Sequence, residues 1–299
     1  MRYYALARAL LLELLLHHVS SALGAAASSI RSIYLFKDVL KSDTVSLTTS
    51  GFNTLIIFGV GILDNGDIMY YSNTPGSSDV LIASNGAYVG GAELADKVRS
   101  FKSENSTDIG RVEISMNAQH VSELMSNPGP GATTALYHNF AALKTAWGLD
   151  AVNNDDESIY DVESTVAFAR MLGTIGYKYT IAPYTNSRFW VSVKTQVNNG
   201  LAEPDLLLDR VYLQCYDGGA GNDPGSWQSE LSMEVVPLVW VTNDSKPSQG
   251  TTATQARSKF TGWKTQSALA GGGYWNDYDI EKMGLSYIEY GDVLTSVFP

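Results

Sequence analysis

Leu149-Asp150-Ala151-Val152-Asn153-Asn154-Asp155-Asp156-Glu157 is the stretch on which the fold of this chain turns. An amphipathic helix leads into it, with Leu136, Phe140, Leu143 and Trp147 at helical spacing, and Gly148 supplies the helix stop. Continued as a strand, the stretch alternates its side chains between two faces, so Asn153, Asp155 and Glu157 share one line. Three polar groups on one face of an apolar segment are costly unless something pairs or uses them. An acidic run after a helix can also be a plain solvated loop. The other strands decide between the two.

Outward from this stretch, short β-rich runs alternate with longer segments, the rhythm of repeated βα units. The expected strands are residues 30–36, 54–60, 112–116, the acidic stretch itself, 178–183, 211–217, 234–241 and 271–275. Residues 54–60 are continuously apolar, as in a strand buried on both faces. Asp64-Asn65-Gly66-Asp67, between Gly61-Ile62-Leu63 and Ile68-Met69-Tyr70-Tyr71, predicts a hairpin at the rim of the sheet. The glycine-rich residues 86–91 lack the lysine of a phosphate loop and read as a turn before a helix over 92–102. Further helices are expected over 164–172 and 254–266. No repeat of 20–50 residues and no linker divides the chain. The fold predicted for residues 28–299 is α/β, a single-domain (β/α)8 TIM barrel, which needs ~250 residues.

The 299 residues are 44% hydrophobic and carry a formal net charge of -11. That charge argues against nucleic acid or an anionic membrane surface as partner, whereas a neutral sugar polymer is not repelled. The single cysteine, Cys215, excludes an intramolecular disulfide and reads as a small core residue. Histidines at 17, 18, 120 and 138 have no metal-site spacing, and no cofactor is implied. Arg2, the apolar run 5–16 and the small residues 20–27 predict a secretory signal peptide over 1–27 and a secreted protein. Arg8 and Glu13 interrupt that run, and an amphipathic N-terminal helix is the other reading. The run is too short and interrupted for a stable membrane span. Sequons at Asn105 and Asn243 fit secretion.

The spacing Asp150-x-x-Asn153-x-Asp155-x-Glu157 resembles the signature of family 18 glycoside hydrolases, the chitinases and endo-β-N-acetylglucosaminidases. That signature is Asp-Gly-x-Asp-x-Asp-x-Glu at the end of the fourth barrel strand. The lead-in 140–150 and the triplet Asp155-Asp156-Glu157 are similar to the endoglycosidase branch in particular. Gln214-Cys215-Tyr216-Asp217 resembles the family's sixth-strand ending, Ala182-Pro183 that of the fifth strand in plant-type chitinases, and Trp275 the tryptophan closing the eighth. Ala151, Asn153 and Asn154 depart from the pattern, and Ser115-Met116-Asn117-Ala118 keeps only the serine of the third-strand motif Ser-x-Gly-Gly.

The resemblance implies cleavage of β-1,4 bonds next to N-acetylglucosamine, in chitin, its oligosaccharides or an N-glycan core. The substrate's own acetamido oxygen would be the nucleophile. By position, Glu157 would be the proton donor, Asp155 would accept the acetamido N–H, and Tyr216 would hold the acetamido carbonyl. Asn153, Gln214 and Asp217 would hydrogen-bond sugar, Trp275 would floor the pocket, and Trp227 and Trp190 would be platforms for neighbouring sugars. A monomer is expected. The rival expectation is a lectin that keeps the barrel and binds such sugars without turnover. Lectin-like relatives usually lose the acid glutamate, which this chain keeps as Glu157. Asn153 cannot carry charge, so the same placement predicts an Asp155 that stays ionised to low pH, held by Asn153 and Glu157.

Overall fold

The computed structural model of the chain describes residues 28–102 and 108–299, and the expected leader and the Asn105 sequon lie outside them. The strands in chain order are β1 (Ile30–Leu35), β2 (Thr54–Ile62), β3 (Ile68–Tyr70), β4 (Val80–Ser84), β5 (Ala87–Tyr88) and β6 (Arg111–Met116). They continue as β7 (Ala151–Asn154), β8 (Lys178–Ile181), β9 (Leu208–Gln214), β10 (Val236–Trp240) and β11 (Gly271–Trp275). Eight of them run parallel in the order β1-β2-β6-β7-β8-β9-β10-β11, and β11 returns to β1, closing a (β/α)8 barrel. Closure brings the two backbones very close: a Cβ on Gly271 would lie 1.9 Å from the Ile30 carbonyl oxygen. The three glycines of β11 leave that space empty.

The helices between strands form the outer ring and close the core against the barrel. Thr134 caps the helix Ala135–Trp147, which ends at Gly148, and buries Leu136, Phe140, Leu143 and Trp147 as their spacing predicts. The helix Val162–Ile175 begins two residues before its expected start, because Asp161 accepts from the Glu163 N–H and caps it there. Cys215 is buried, as expected, and burial pushes its thiol up to about 12. Among the described residues, no helix is long and apolar enough to cross a membrane.

Two features of the barrel mouth set up the site. First, β2 outruns its parallel partners, and its last residues pair antiparallel with β3, Val60 opposite Tyr70 and Ile62 opposite Ile68. This is the expected hairpin. It is extended by a second one, because Asn85 and Gly86 both take positive φ and turn β4 into β5. The stretch 86–91 is therefore part of a sheet extension and not only a turn before a helix. Asn85-Gly86 is the hairpin dipeptide that marks it.

Second, β7 stops at Asn154, earlier than the acidic run. Asp155 keeps the ladder for one more residue through its N–H to the Met116 carbonyl, at 2.9 Å. The Asp156 carboxylate then captures the N–H groups of Ser158, Ile159 and Tyr160 at 2.7–3.0 Å and turns the chain away. Glu157 thus stands on a turn at the mouth rather than on a strand.

Candidate active site

A cleft of about 860 Å³ opens where the strands end. Its wall and floor include Asp155, Glu157, Tyr184, Gln214, Tyr216, Asp217, Trp240 and Trp275, with Tyr71 and Asn73 from the hairpin extension. The opening lies at the carboxyl ends of the parallel strands, the face where such barrels do chemistry.

Gln214 is the centre of the polar floor. Its Nε2 donates to Asp155 Oδ1 at 3.0 Å and to the Ala182 carbonyl at 2.9 Å, and stands 3.5 Å from Glu157 Oε1. The amide therefore ties Asp155 down and holds the two carboxyl groups to one side of the cleft. Asp155 shows only an edge to the cleft, while Glu157 is exposed. Burial, then the charge of Glu157, then that of Asp156 push the Asp155 carboxyl up to about 8. This reverses the expectation of an Asp155 ionised to low pH. Desolvation outweighs the missing charge at 153, and the single side-chain donor shown for Asp155 is a neutral amide.

The aromatic floor is built from three strand ends. Tyr216 and Trp275 stack at 6.5 Å with an interplanar angle of 16°, and Trp240 meets Tyr216 edge-on at 5.9 Å. Trp275 itself rests on a bed of Tyr34, Phe36 and Phe58, with centroids 4.8–5.5 Å away. The indole of Trp240 is aimed by its Nε1, which donates to Asp279 Oδ2 at 2.7 Å. Burial, followed by the Asp155 and Glu157 charges, pushes the Tyr216 phenol well up, so it is a neutral donor.

Three expected residues stand elsewhere. Asn153 is fully buried, one pleat below Asp155, bonded to Tyr34 and Thr180, and does not line the cleft. Two residues along a strand is ~6.6 Å, enough to move a side chain from the mouth to the barrel interior. Trp227 belongs to the core, 8% exposed, its Nε1 bonded to Asn222 at 3.1 Å. Trp190 is fully buried against Phe189, so neither indole offers a platform. Asp217 does line the cleft, but its carboxylate is ion-paired with Lys246. Trp240, Tyr184 and Tyr71 are the residues that strand-by-strand reading passed over. Trp240 ends the seventh strand directly beside Trp275, and Tyr184 follows the Ala182-Pro183 ending, so both carried the signal.

No family model matches the chain, and no curated protein matches it. Solved structures do. A family 18 chitinase of Pseudoalteromonas aurantia superposes at a TM-score of 0.64, with 12% identity, over 90% of this chain and all of the other. A Pyrococcus furiosus chitinase domain, studied as catalytic-site mutants with chito-oligosaccharides, gives 0.57 at 10% identity, over 91% and 95% of the two chains. The spore cortex-lytic enzyme SleL of Bacillus megaterium gives 0.57 at 10%, over 92% of this chain and 76% of its own. The chain has the family 18 glycoside hydrolase fold. At such identities the likeness carries the barrel and its strand order. The family 18 fold thus agrees with the resemblance drawn from the acidic stretch, and the site rests on the geometry above.

Proposed function

We propose that the protein is a glycosidase acting on β-1,4 bonds next to N-acetylglucosamine, with the substrate's acetamido group as nucleophile. The observation that carries this is the single amide of Gln214 holding Asp155 and Glu157 together beside the stacked Tyr216 and Trp275. Retaining enzymes of the ordinary kind need two carboxylates flanking the sugar as acid and nucleophile. Here both sit on one short turn, so they serve one side of the bond. Glu157, the exposed member, donates the proton to the leaving oxygen. Asp155 holds the acetamido N–H and balances the positive charge of the cyclised intermediate. Tyr216 donates to the acetamido carbonyl and fixes its angle of attack. The sugar lies on Trp275. Burial first, and then the Glu157 and Asp156 charges, hold a proton on Asp155 through neutral pH, so the site carries the proton that an acid step requires. The substrate would be met outside the cell, in keeping with the leader expected over residues 1–27.

The test is incubation with chitooligosaccharides and with a high-mannose glycoprotein, products read by mass spectrometry, beside the Glu157→Gln variant. Cleavage by the parent, lowered ~10²–10⁴-fold in the variant with sugar binding kept, is the expected result. Binding without products from the parent would leave a lectin. Cleavage of cellooligosaccharides, which lack the acetamido group, would rule out substrate assistance.

A further inference from the structure

The residue between the two candidate catalytic carboxyls has no part in the proposed chemistry. Asp156 is 3% exposed and does not line the cleft. Its Oδ1 accepts from the Ser158 N–H at 3.0 Å and the Ile159 N–H at 2.8 Å, and its Oδ2 accepts from the Tyr160 N–H at 2.7 Å. Burying a carboxylate between two other acids is unfavourable unless its oxygens are well supplied with donors. A carboxylate has two oxygens and no hydrogen, so it can take all three N–H groups at once. A serine or threonine has one oxygen, and an asparagine would set an NH2 where one of the two oxygens stands. The turn therefore calls for an acid at this position, although the charge falls beside Asp155 and Glu157.

The far end of the same turn is pinned as well. Tyr160 has a φ of +51°, a left-handed backbone that a tyrosine adopts only where its surroundings force it. Its ring packs edge-on against Phe189 and Trp190 of the helix Ser187–Val197, with centroids 5.2 and 6.3 Å away. Glu157 lies between these two anchors. The two carboxyls of the site are thus held differently. Asp155 stands at the start of the turn, its N–H on the Met116 carbonyl at 2.9 Å and its Oδ1 on the Gln214 amide at 3.0 Å. Glu157 is exposed, and among the described residues the hydrogen-bonding contact of its carboxyl is the same amide at a long 3.5 Å. Its aim is inherited from the backbone that carries it.

We propose that Asp156 is a positioning residue for Glu157: by gathering the N–H groups of residues 158–160 it fixes the peptide that carries the proton donor. This rests on the glycosidase reading. Asp155 keeps its own supports, the Met116 carbonyl and the Gln214 amide, when that turn is loosened. Loss of Asp156 is therefore felt in proton transfer to the leaving oxygen, and far less in holding the sugar or its acetamido group.

The test compares two substrates, a chitooligosaccharide and a dinitrophenyl glycoside of chitobiose, whose phenolate departs without needing a proton. The measurement is kcat/KM, which covers the bond-breaking step. Parent and variants are compared at pH 6, below the Asp155 midpoint, because the Asp156 charge also bears on that carboxyl. Asp156→Ala should lower kcat/KM ~10²-fold on the oligosaccharide and by less than about threefold on the dinitrophenyl glycoside, the split expected of a misplaced acid. Asp156→Asn, which keeps one oxygen, should fall between parent and Asp156→Ala. It carries the same comparison should Asp156→Ala not fold. Added to Glu157→Gln, Asp156→Ala should cost no further rate on the oligosaccharide, since it acts through Glu157. Equal falls on the two substrates would make Asp156 a merely structural residue, and an unchanged rate on the oligosaccharide would show that the turn does not aim the acid. Either result, or a further loss in the double variant, overturns the proposal while leaving the glycosidase reading in place. A parent that cleaves neither substrate overturns both.

Discussion

At Asp155, burial and two neighbouring carboxylates act in the same direction and bring the carboxyl to about 8. Below that pH Asp155 carries a proton, and above it that proton is lost from the site. Turnover of a chitooligosaccharide should therefore be level through neutral pH and fall as pH rises through about 8. A rate that climbs past pH 9 would refute this assignment. Asn153 poses a different question one pleat lower. An aspartate there would lie between Tyr34 and Thr180 in a fully buried layer, with Glu113 bonded to the same threonine. It would stay protonated through neutral pH and mimic the amide. Asn153→Asp should leave the pH at which the rate falls in place. It should also cost stability increasingly as pH rises, because a carboxyl with a raised pKa stabilises the fold only while it is protonated. Thermal melts of parent and variant at pH 5 and pH 8 check this: the gap between them should be wider at pH 8.

The hairpin extension is the element that supplies one wall of the cleft. Gly59 takes a φ of +86°, and a Cβ there would meet the Tyr71 carbonyl oxygen at 2.7 Å. A Cβ on Gly61 would meet the Tyr71 ring at 2.5 Å. The two bare positions on β2 let the Tyr71 ring lie against the strand backbone, with 38% of the residue exposed at the cleft. A ring in that place suits the apolar face of a sugar beyond the bond that is cut. Tyr71→Ala should raise KM for long chitooligosaccharides roughly fivefold, about 1 kcal/mol, while leaving kcat within twofold. Gly61→Val, which displaces the ring, should do the same. Equal KM values on a long and a short substrate series for parent and variants would show that no sugar reaches this wall. The expected hairpin at residues 64–67 pointed to this element. The second hairpin that stiffens it turned on Asn85-Gly86, six residues from the helix that those glycines were taken to introduce.

Over the whole molecule, two buried carboxyls set how stability follows pH. Asp277 receives the Phe36 and Lys37 N–H groups on Oδ1, yet burial pushes it up to about 7. Asp155 stands at about 8. Both lie above the ordinary carboxylate value, so the folded state holds more protons than the unfolded chain across this window. The stability they contribute is complete below the unfolded value and is lost as pH rises through about 7 and about 8. The net charge of -11 adds self-repulsion in the same direction. The melting temperature should drop by on the order of 5 °C or more from pH 5 to pH 9, and Asp277→Asn should shrink that drop. A melting temperature that is flat or rises over this range would refute the account.

The eight strands and the single domain were legible in the chain itself, whereas Asp155, Tyr216 and Trp275 were picked out by the resemblance to family 18, and Glu157 stands on a turn and not on the strand expected for it. Buried strands are continuously apolar, helices repeat their apolar face, and parallel strands bring their ends to one side. These are local rules, and each could be applied one segment at a time. Depth was not legible. Asn153 and Asp155 share a strand face, but one is inside the barrel and the other at its mouth, and only the barrel's closure fixes where the mouth lies. Trp190 and Trp227 were open to the same error, since whether a tryptophan after a strand faces sugar or core depends on the helix that packs over it. The proton state of Asp155 was furthest from view. It depends first on burial and then on the Glu157 and Asp156 charges, and the three-dimensional structure alone fixes how far the carboxyl is withdrawn from water.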